Sequence, residues 1–147
     1  MLASRVRMSY IKKGGIPDYY VMATDSDFSG TSNANFKYIG SHEYVIIPHI
    51  IKGVNVTSYR NMFRDNTSTA LKGVASDNPN VTSMYGMFWG SATTSLDLSN
   101  FDTSNVTSMN NMFYGSAATT GYARTQADAN RFNASYGKPS RLTFVVK

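Results

Sequence analysis

Apolar and polar residues alternate over Leu96-Asp97-Leu98, so both leucines point to one side of a short strand. The residues that follow, Ser99 to Asn105, are mostly Ser, Asn, Asp and Thr. These types turn the chain through local side-chain hydrogen bonds. Met109, Met112 and Phe113 then fall at i, i+3 and i+4. That spacing predicts an apolar stripe on a short helix, with Thr107 or Ser108 as its N-cap and Gly115 and Ser116 ending it. One strand, one turn and a short helix cannot bury such a stripe alone. Stacked copies can, and this is the logic of a solenoid.

The copies are present. Asn55-Val-Thr-Ser-Tyr-Arg-Asn-Met-Phe63, Asn80-Val-Thr-Ser-Met-Tyr-Gly-Met-Phe88 and Asn105-Val-Thr-Ser-Met-Asn-Asn-Met-Phe113 follow one another at two intervals of 25 residues. Upstream, Leu96-Asp-Leu98 aligns with Leu71-Lys-Gly73 and more loosely with Ile46-Ile-Pro48. The pairs Met62-Phe63, Met87-Phe88 and Met112-Phe113 read as stacked core, since Met fills irregular gaps. Asn55, Asn80 and Asn105 read as a ladder whose amides satisfy backbone groups between coils. Each also opens an Asn-Val-Thr sequon, but register accounts for the Asn without a glycan. Asp77 and Asp102 recur as turn caps. A calcium ladder would need six to eight oxygens per ion, more than each unit supplies.

The flanks read as closed ends. Tyr19 to Thr24 and Phe36 to Ile39 are strand-like, and Arg5 to Ile11 alternates as a strand or pairing arm after a basic start, with Gly14-Gly15 as a hinge. Residues 1–53 therefore read as a basic arm and β-rich N-terminal cap, and residues 54–120 as the repeats. Residues 121–147 read as a C-terminal cap: a helix over Tyr122 to Phe132, a turn at Gly137-Lys-Pro139 and a strand over Leu142 to Val146. The predicted fold is an α/β repeat, a short βα solenoid of about three 25-residue units between two caps.

Composition narrows the class. Over 147 residues there is no cysteine and a single Glu, Glu43. That removes disulfides, thiolate metal sites and thiol nucleophiles, and it argues against an all-α bundle rich in Glu and Lys. The most apolar run, Tyr44 to Ile51, is far shorter than a membrane-spanning helix requires. No signal peptide or lipid-anchor pattern is visible. The net charge of +5 comes from the two ends, with the repeats close to neutral. A nucleic-acid binder would cluster basic residues on one face with interleaved aromatics, so nucleic acid is not the expected partner.

Candidate chemistry is sparse. His42 and His49 flank a strand and read as structural, the acids are dispersed, and no hydrolase, zinc or phosphate-loop motif occurs. The expectation is a protein that is not an enzyme and that uses no metal and no cofactor. The repeat offers a surface instead. The position after Met-Phe holds Arg64, Trp89 and Tyr114, and the position four before it holds Arg60, Tyr85 and Asn110. Strand-like stacking places equivalent residues about 4.8 Å apart. The six residues then form a candidate ligand-binding strip, of the composition enriched in binding hot spots. The alternative reading packs Trp89 and Tyr114 on the neighbouring coil.

The stretch from Leu96 to Ser116, Leu-Asp-Leu-Ser-Asn-Phe-Asp-Thr-Ser-Asn-Val-Thr-Ser-Met-Asn-Asn-Met-Phe-Tyr-Gly-Ser, resembles the BspA-type leucine-rich repeat, also known as the DUF285 surface-protein repeat. Residues 80–91 match its second half, residues 55–63 match with Tyr59 in place of the first Met, and the likeness runs over roughly residues 44–147. The tail is similar to the end of such arrays in Gram-positive bacterial and prophage proteins. The resemblance implies a leucine-rich-repeat-like βα solenoid and a role in adhesion or receptor binding. The implied partner is a protein or carbohydrate at a cell surface, without membrane insertion. Homo-oligomerisation or assembly into a virion is compatible with it. A phage tail or baseplate component fits both the likeness and the missing signal; a fragment of a longer surface protein fits as well. The alternative is a phage-encoded module in the host cytoplasm that blocks or scaffolds a host protein.

Overall fold

The computed structural model describes residues 15–147. The strand predicted over Arg5 to Ile11 and the first glycine of the Gly14-Gly15 hinge lie outside them. The chain winds as a parallel β-solenoid of about five turns. One six-stranded parallel sheet runs its length, in the order β1 (Val21–Met22), β4 (Tyr44–Ile46), β7 (Gly73–Ala75), β8 (Ser95–Leu98), β9 (Thr120–Ala123) and β10 (Thr143–Val146). Between its first members sit two antiparallel pairs, β2 (Phe28–Ser29) with β3 (Lys37–Tyr38), and β5 (Ile50–Ile51) with β6 (Val54–Asn55).

Alternation along the strands sorts the residues. On the inner face Val45 pairs with Val74, Leu96 with the buried Gly121 and Leu98 with Ala123, the Val, Leu and Ala side chains lying within the core. The outer face carries the row Tyr44, Gly73, Asp97, Tyr122, Val145. Gly73 is there because Tyr20 and Tyr44 lie across it: a Cβ would come within 2.5 Å of the Tyr20 hydroxyl. The sheet register is not a uniform 25 residues. Gly73 faces Asp97 while Ser76 faces Phe101, so the later coil holds one extra residue between these points. Pairing of Tyr44 with Gly73 leaves room for the β5–β6 hairpin in the coil between.

The second half of each repeat is not helical, contrary to the stripe predicted at Met109, Met112 and Phe113. Residues 59–65, 84–90 and 109–115 form chained turns in which two positions take positive φ: Asn61, Gly86 and Asn111, then Asp65, Gly90 and Gly115. A left-handed residue at every fourth position interrupts any α-helix, and Gly, Asn and Asp tolerate that conformation best. The backbone donors then alternate. The N–H groups of Met62, Arg64 and Asn66 close local turns onto Tyr59, Asn61 and Phe63. Those of Tyr59, Asn61, Phe63 and Asp65 donate to the next coil, at Ser83, Tyr85, Met87 and Trp89. The following coil repeats this pattern, with Met84, Gly86, Phe88 and Gly90 donating to Ser108, Asn110, Met112 and Tyr114.

The Met-Phe pairs are core, as expected: Met62, Phe63, Met87, Phe88, Met112 and Phe113 are all fully buried. The rings stack from coil to coil, Phe63 on Phe88 at 5.2 Å and Phe88 on Phe113 at 6.0 Å between centroids. Tyr38 extends the ladder upstream, 5.1 Å from Phe63, and Phe144 extends it downstream, 4.8 Å from Phe113. Tyr59 takes the place of the first Met and bonds the buried Ser76 through its hydroxyl.

The Asn ladder differs from expectation. Asn105 donates to the Pro79 carbonyl of the previous coil, but the buried Asn78 and the terminal Asn33 do this work for Val56 and Asn55. Asp102 caps its turn through the Ser104 N–H, while Asp77 pairs with His49. At the C-terminal end the predicted helix starts later. Residues 120–123 pair as β9, and the helix α1 spans Gln126–Asn133 with Thr125 as N-cap, its hydroxyl accepting the Asp128 N–H at 3.1 Å. The final strand forms as read.

Candidate functional site

The left-handed turns decide which side chains leave the core. Between a left-handed residue and the buried Met and Phe, each coil turns one residue outward at positions 60, 85 and 110 and another at 64, 89 and 114. Arg60, Asn110 and Tyr114 are exposed; Arg64, Tyr85 and Trp89 are half-buried. All six candidate residues therefore sit on one turn edge of the solenoid, away from the sheet.

They form two rows of rungs. In the first, the Arg64 guanidinium rests 4.1 Å from the centroid of Trp89, and Trp89 lies 4.7 Å from Tyr114 with the planes inclined at 44°. In the second, Arg60 rests 4.7 Å from the centroid of Tyr85, whose hydroxyl accepts a hydrogen bond from the Asn111 amide at 3.2 Å. Asn110 is exposed on the same edge. Gly86 lies between the rows; a Cβ there would sit 3.7 Å from Trp89. The two readings of the aromatics thus combine: Trp89 and Tyr114 pack on neighbouring coils, and that packing makes a continuous outward strip. Each cation–ring contact is worth roughly 0.5–1 kcal/mol at an exposed site, which offsets part of the entropy lost in ordering a long arginine.

Sequence reasoning missed the upstream end of the strip. The ladder bond from the Tyr38 N–H to Met62 shows that Tyr38 stands where Phe63 stands one coil later. Its neighbour Ile39, 61% exposed, therefore continues the row of Arg64, Trp89 and Tyr114. Counting 25 residues back from Arg64 finds it. Beside it a cleft of about 330 Å³ is lined by Lys37–Ser41 on one side and Arg64–Ser68 on the other. Arg64 thus belongs to both cleft and strip. Its Nε lies 3.8 Å from the exposed Asp65 carboxylate.

Other titratable groups serve the frame. His49 Nε2 and Asp77 Oδ1 are 2.7 Å apart, and His42 approaches Asp27 at 3.6 Å. On the outer sheet face, burial alone would raise the Asp97 carboxyl. Bonds from Lys147 and from the Ser99 hydroxyl and N–H overcome it and hold the group below the usual carboxylate range. Asp102 is lowered in the same way, with Ser104 and Arg124 outweighing burial. Burial pushes the Tyr20, Tyr38 and Tyr59 hydroxyls up. Among the described residues no group of three or more His, Asp or Glu is placed to hold a metal ion, and no helix is long and apolar enough to cross a membrane.

The fold defines a parallel β-solenoid assembled on a 25-residue unit, with the six candidate residues gathered on the turn edge. Residues 52–138, more than half of the chain, match the family described as "Mycoplasma protein of unknown function, DUF285", and the chain belongs to that family. No curated protein and no solved structure matches it.

Proposed function

We propose that the chain is a non-enzymatic recognition module that binds a ligand on a cell surface through the strip of Arg60, Arg64, Tyr85, Trp89 and Tyr114, flanked by Asn110. The observation that carries this reading is the outward row Arg64, Trp89, Tyr114. Large aromatics and an arginine are held in order on the surface while the fully buried Met-Phe ladder supplies the core. Residues of this kind dominate binding energy where they meet a partner. The resemblance of residues 96–116 to BspA-type leucine-rich repeats supports an adhesive role, in a phage or prophage tail or baseplate component or in a larger surface protein. The test is binding of the labelled protein to intact Gram-positive cells and to lysate of the same cells. Saturable binding to cells, abolished by Trp89→Ala or Tyr114→Ala with melting retained, is the expected result. Capture of a single lysate protein with no binding to cells would replace this reading with that of an intracellular blocking or scaffolding module.

A further inference from the structure

We infer that the strip takes an acidic protein segment, reading its Asp or Glu carboxylates through Arg60 and Arg64, rather than a sugar. This rests on the reading of the strip as a binding surface and names its partner.

Stacking from coil to coil occupies a face of each ring along the strip. Arg64 covers the face of Trp89 turned toward the preceding coil, and Tyr114 closes on it from the following one. On the far side of Tyr114 the chain passes at Gly137, so close that a Cβ there would sit 2.9 Å from Tyr114 Cδ2. Tyr85 carries Arg60 on its face. A neutral sugar stacks its C–H groups against the electron-rich face of an aromatic ring, and every ring of the strip has a face already occupied. Beyond its rings the strip presents two guanidinium groups, that of the exposed Arg60 and that of the half-buried Arg64.

Those guanidinium groups suit one ligand chemistry. A guanidinium held over a ring keeps N–H donors for a carboxylate, whose geometry they match. Arg60 lies within ion-pair distance of no carboxylate among the described residues, and Arg64 meets only Asp65, at 3.8 Å through Nε. The cleft beside Arg64 adds Lys37, against Asp65 as its single acid, and presents the exposed Ile39. Two arginines and a lysine against Asp65, and against Asp27, which lies behind Gly40 and faces His42, leave the side chains at this end of the strip positive on balance. An apolar contact sits beside it, as suits a protein segment in which an acidic residue neighbours an apolar one.

The test is an array carrying short acidic peptides with interspersed apolar residues, their Asn/Gln counterparts, basic peptides, and neutral and acidic glycans. It is probed with the intact protein and with the Arg60→Gln, Arg64→Gln double variant. Expected are capture by acidic peptides but not by their amide counterparts, at least a tenfold loss of that capture in the double variant, and a melting temperature close to that of the parent. Arg64→Lys, which keeps the charge and loses the planar fork, is expected to fall between the two. Capture by glycans only, equal capture of amide and acidic peptides, or acidic-peptide capture indifferent to both arginines would each overturn the inference. Failure of the cell-surface reading is separate: it shows as absence of binding to intact cells, whatever the array reports.

Discussion

Asn133 holds both backbone polar groups of Phe144. Its Oδ1 accepts the Phe144 N–H at 2.8 Å and its Nδ2 donates to the Phe144 carbonyl at 2.9 Å. Phe144 lies in β10, the last strand of the long sheet, so these groups face the side where a further strand would pair. One side-chain amide imitates one rung of that strand. Asn33 makes a related bracket on the turn side of the first repeat, accepting the Thr57 N–H at 2.9 Å and donating to the Asn55 carbonyl at 3.0 Å. Open edges invite pairing with other chains, and covering them is a common protection.

Asn133→Ala is expected to cost about 1–3 kcal/mol, because two buried-side backbone groups lose their partner. At about 2–4 °C per kcal/mol for a chain of this size, calorimetry resolves the change. Asn133→Asp can accept but not donate, and should lose a comparable amount through repulsion of the Phe144 carbonyl. An unchanged melting temperature in both would show that the bracket contributes nothing.

Gly86 separates two costs. Its φ is +61°, and a Cβ would lie 2.3 Å from the Asn61 Oδ1 of the preceding coil. Gly86→Ala should therefore lose about 1–2 kcal/mol to the left-handed backbone, plus the cost of displacing the amide. Adding Asn61→Gly removes the obstacle; because Asn61 is itself left-handed, at φ +57°, the double variant is compared with Asn61→Gly alone, and against that reference it should recover the second part only. Full recovery in the double variant would mean that the backbone conformation is not strained for alanine.

Core and strip should respond oppositely. Phe88→Ala opens the ring ladder between Phe63 and Phe113 and is expected to cost about 3–5 kcal/mol; Met112→Asp, which buries an unpaired charge, should unfold the array. Tyr114→Ala removes a ring that is 48% exposed and should shift melting by only a few degrees. A loss from Tyr114→Ala as large as that from Phe88→Ala would assign Tyr114 to the core and remove it from the strip.

Acid should weaken the fold through Asp97 and Asp102. Both carboxyls sit below their ordinary value in the folded chain, so their contribution is present above the unfolded value, about 3.9, and is lost as pH falls through the folded value. Melting should hold steady from neutral pH to about 5 and drop below about 4. Asp97→Asn should flatten that drop. Lys147 is raised by its bond to Asp97, so its share is lost only in strong base. An acid profile identical in Asp97→Asn would show that other carboxylates govern it.

The repeat, its period and its buried Met-Phe ladder were legible in the sequence because stacking in register demands the same residue at the same place in every coil. The conformation of residues 109–115 was less so. Met109, Met112 and Phe113 fit a helical stripe, and the opposing signal was the smaller one of Asn or Gly at 61, 86 and 111 and of Asp or Gly at 65, 90 and 115. At 122–132, alanines favoured a helix throughout, but Tyr122 and Ala123 have strand partners on both sides, and tertiary pairing overrode local preference. The six strip residues were readable as equivalent positions. Which of them touch, and that Ile39 joins them, depended on how far the ladder extends beyond the recognisable copies.

The bonds along the turn edge all run one way. From Tyr38 to Met62, Phe63 to Met87 and Phe88 to Met112, an earlier coil gives the hydrogen and the next coil gives the oxygen. In the sheet the direction alternates, as in Asp97 to Lys72 against Ile47 to Ala75, and the peptide dipoles there largely cancel. On the turn edge they add, as they do along an α-helix. The backbone on that one side is thus polar along the axis, its negative end toward the coil of Tyr38, where the cationic side chains of Lys37 and Arg64 offset it, and its positive end toward the coil of Phe113. A charged partner lying along the strip would meet different potentials at its two ends, and so would be told which way round to lie.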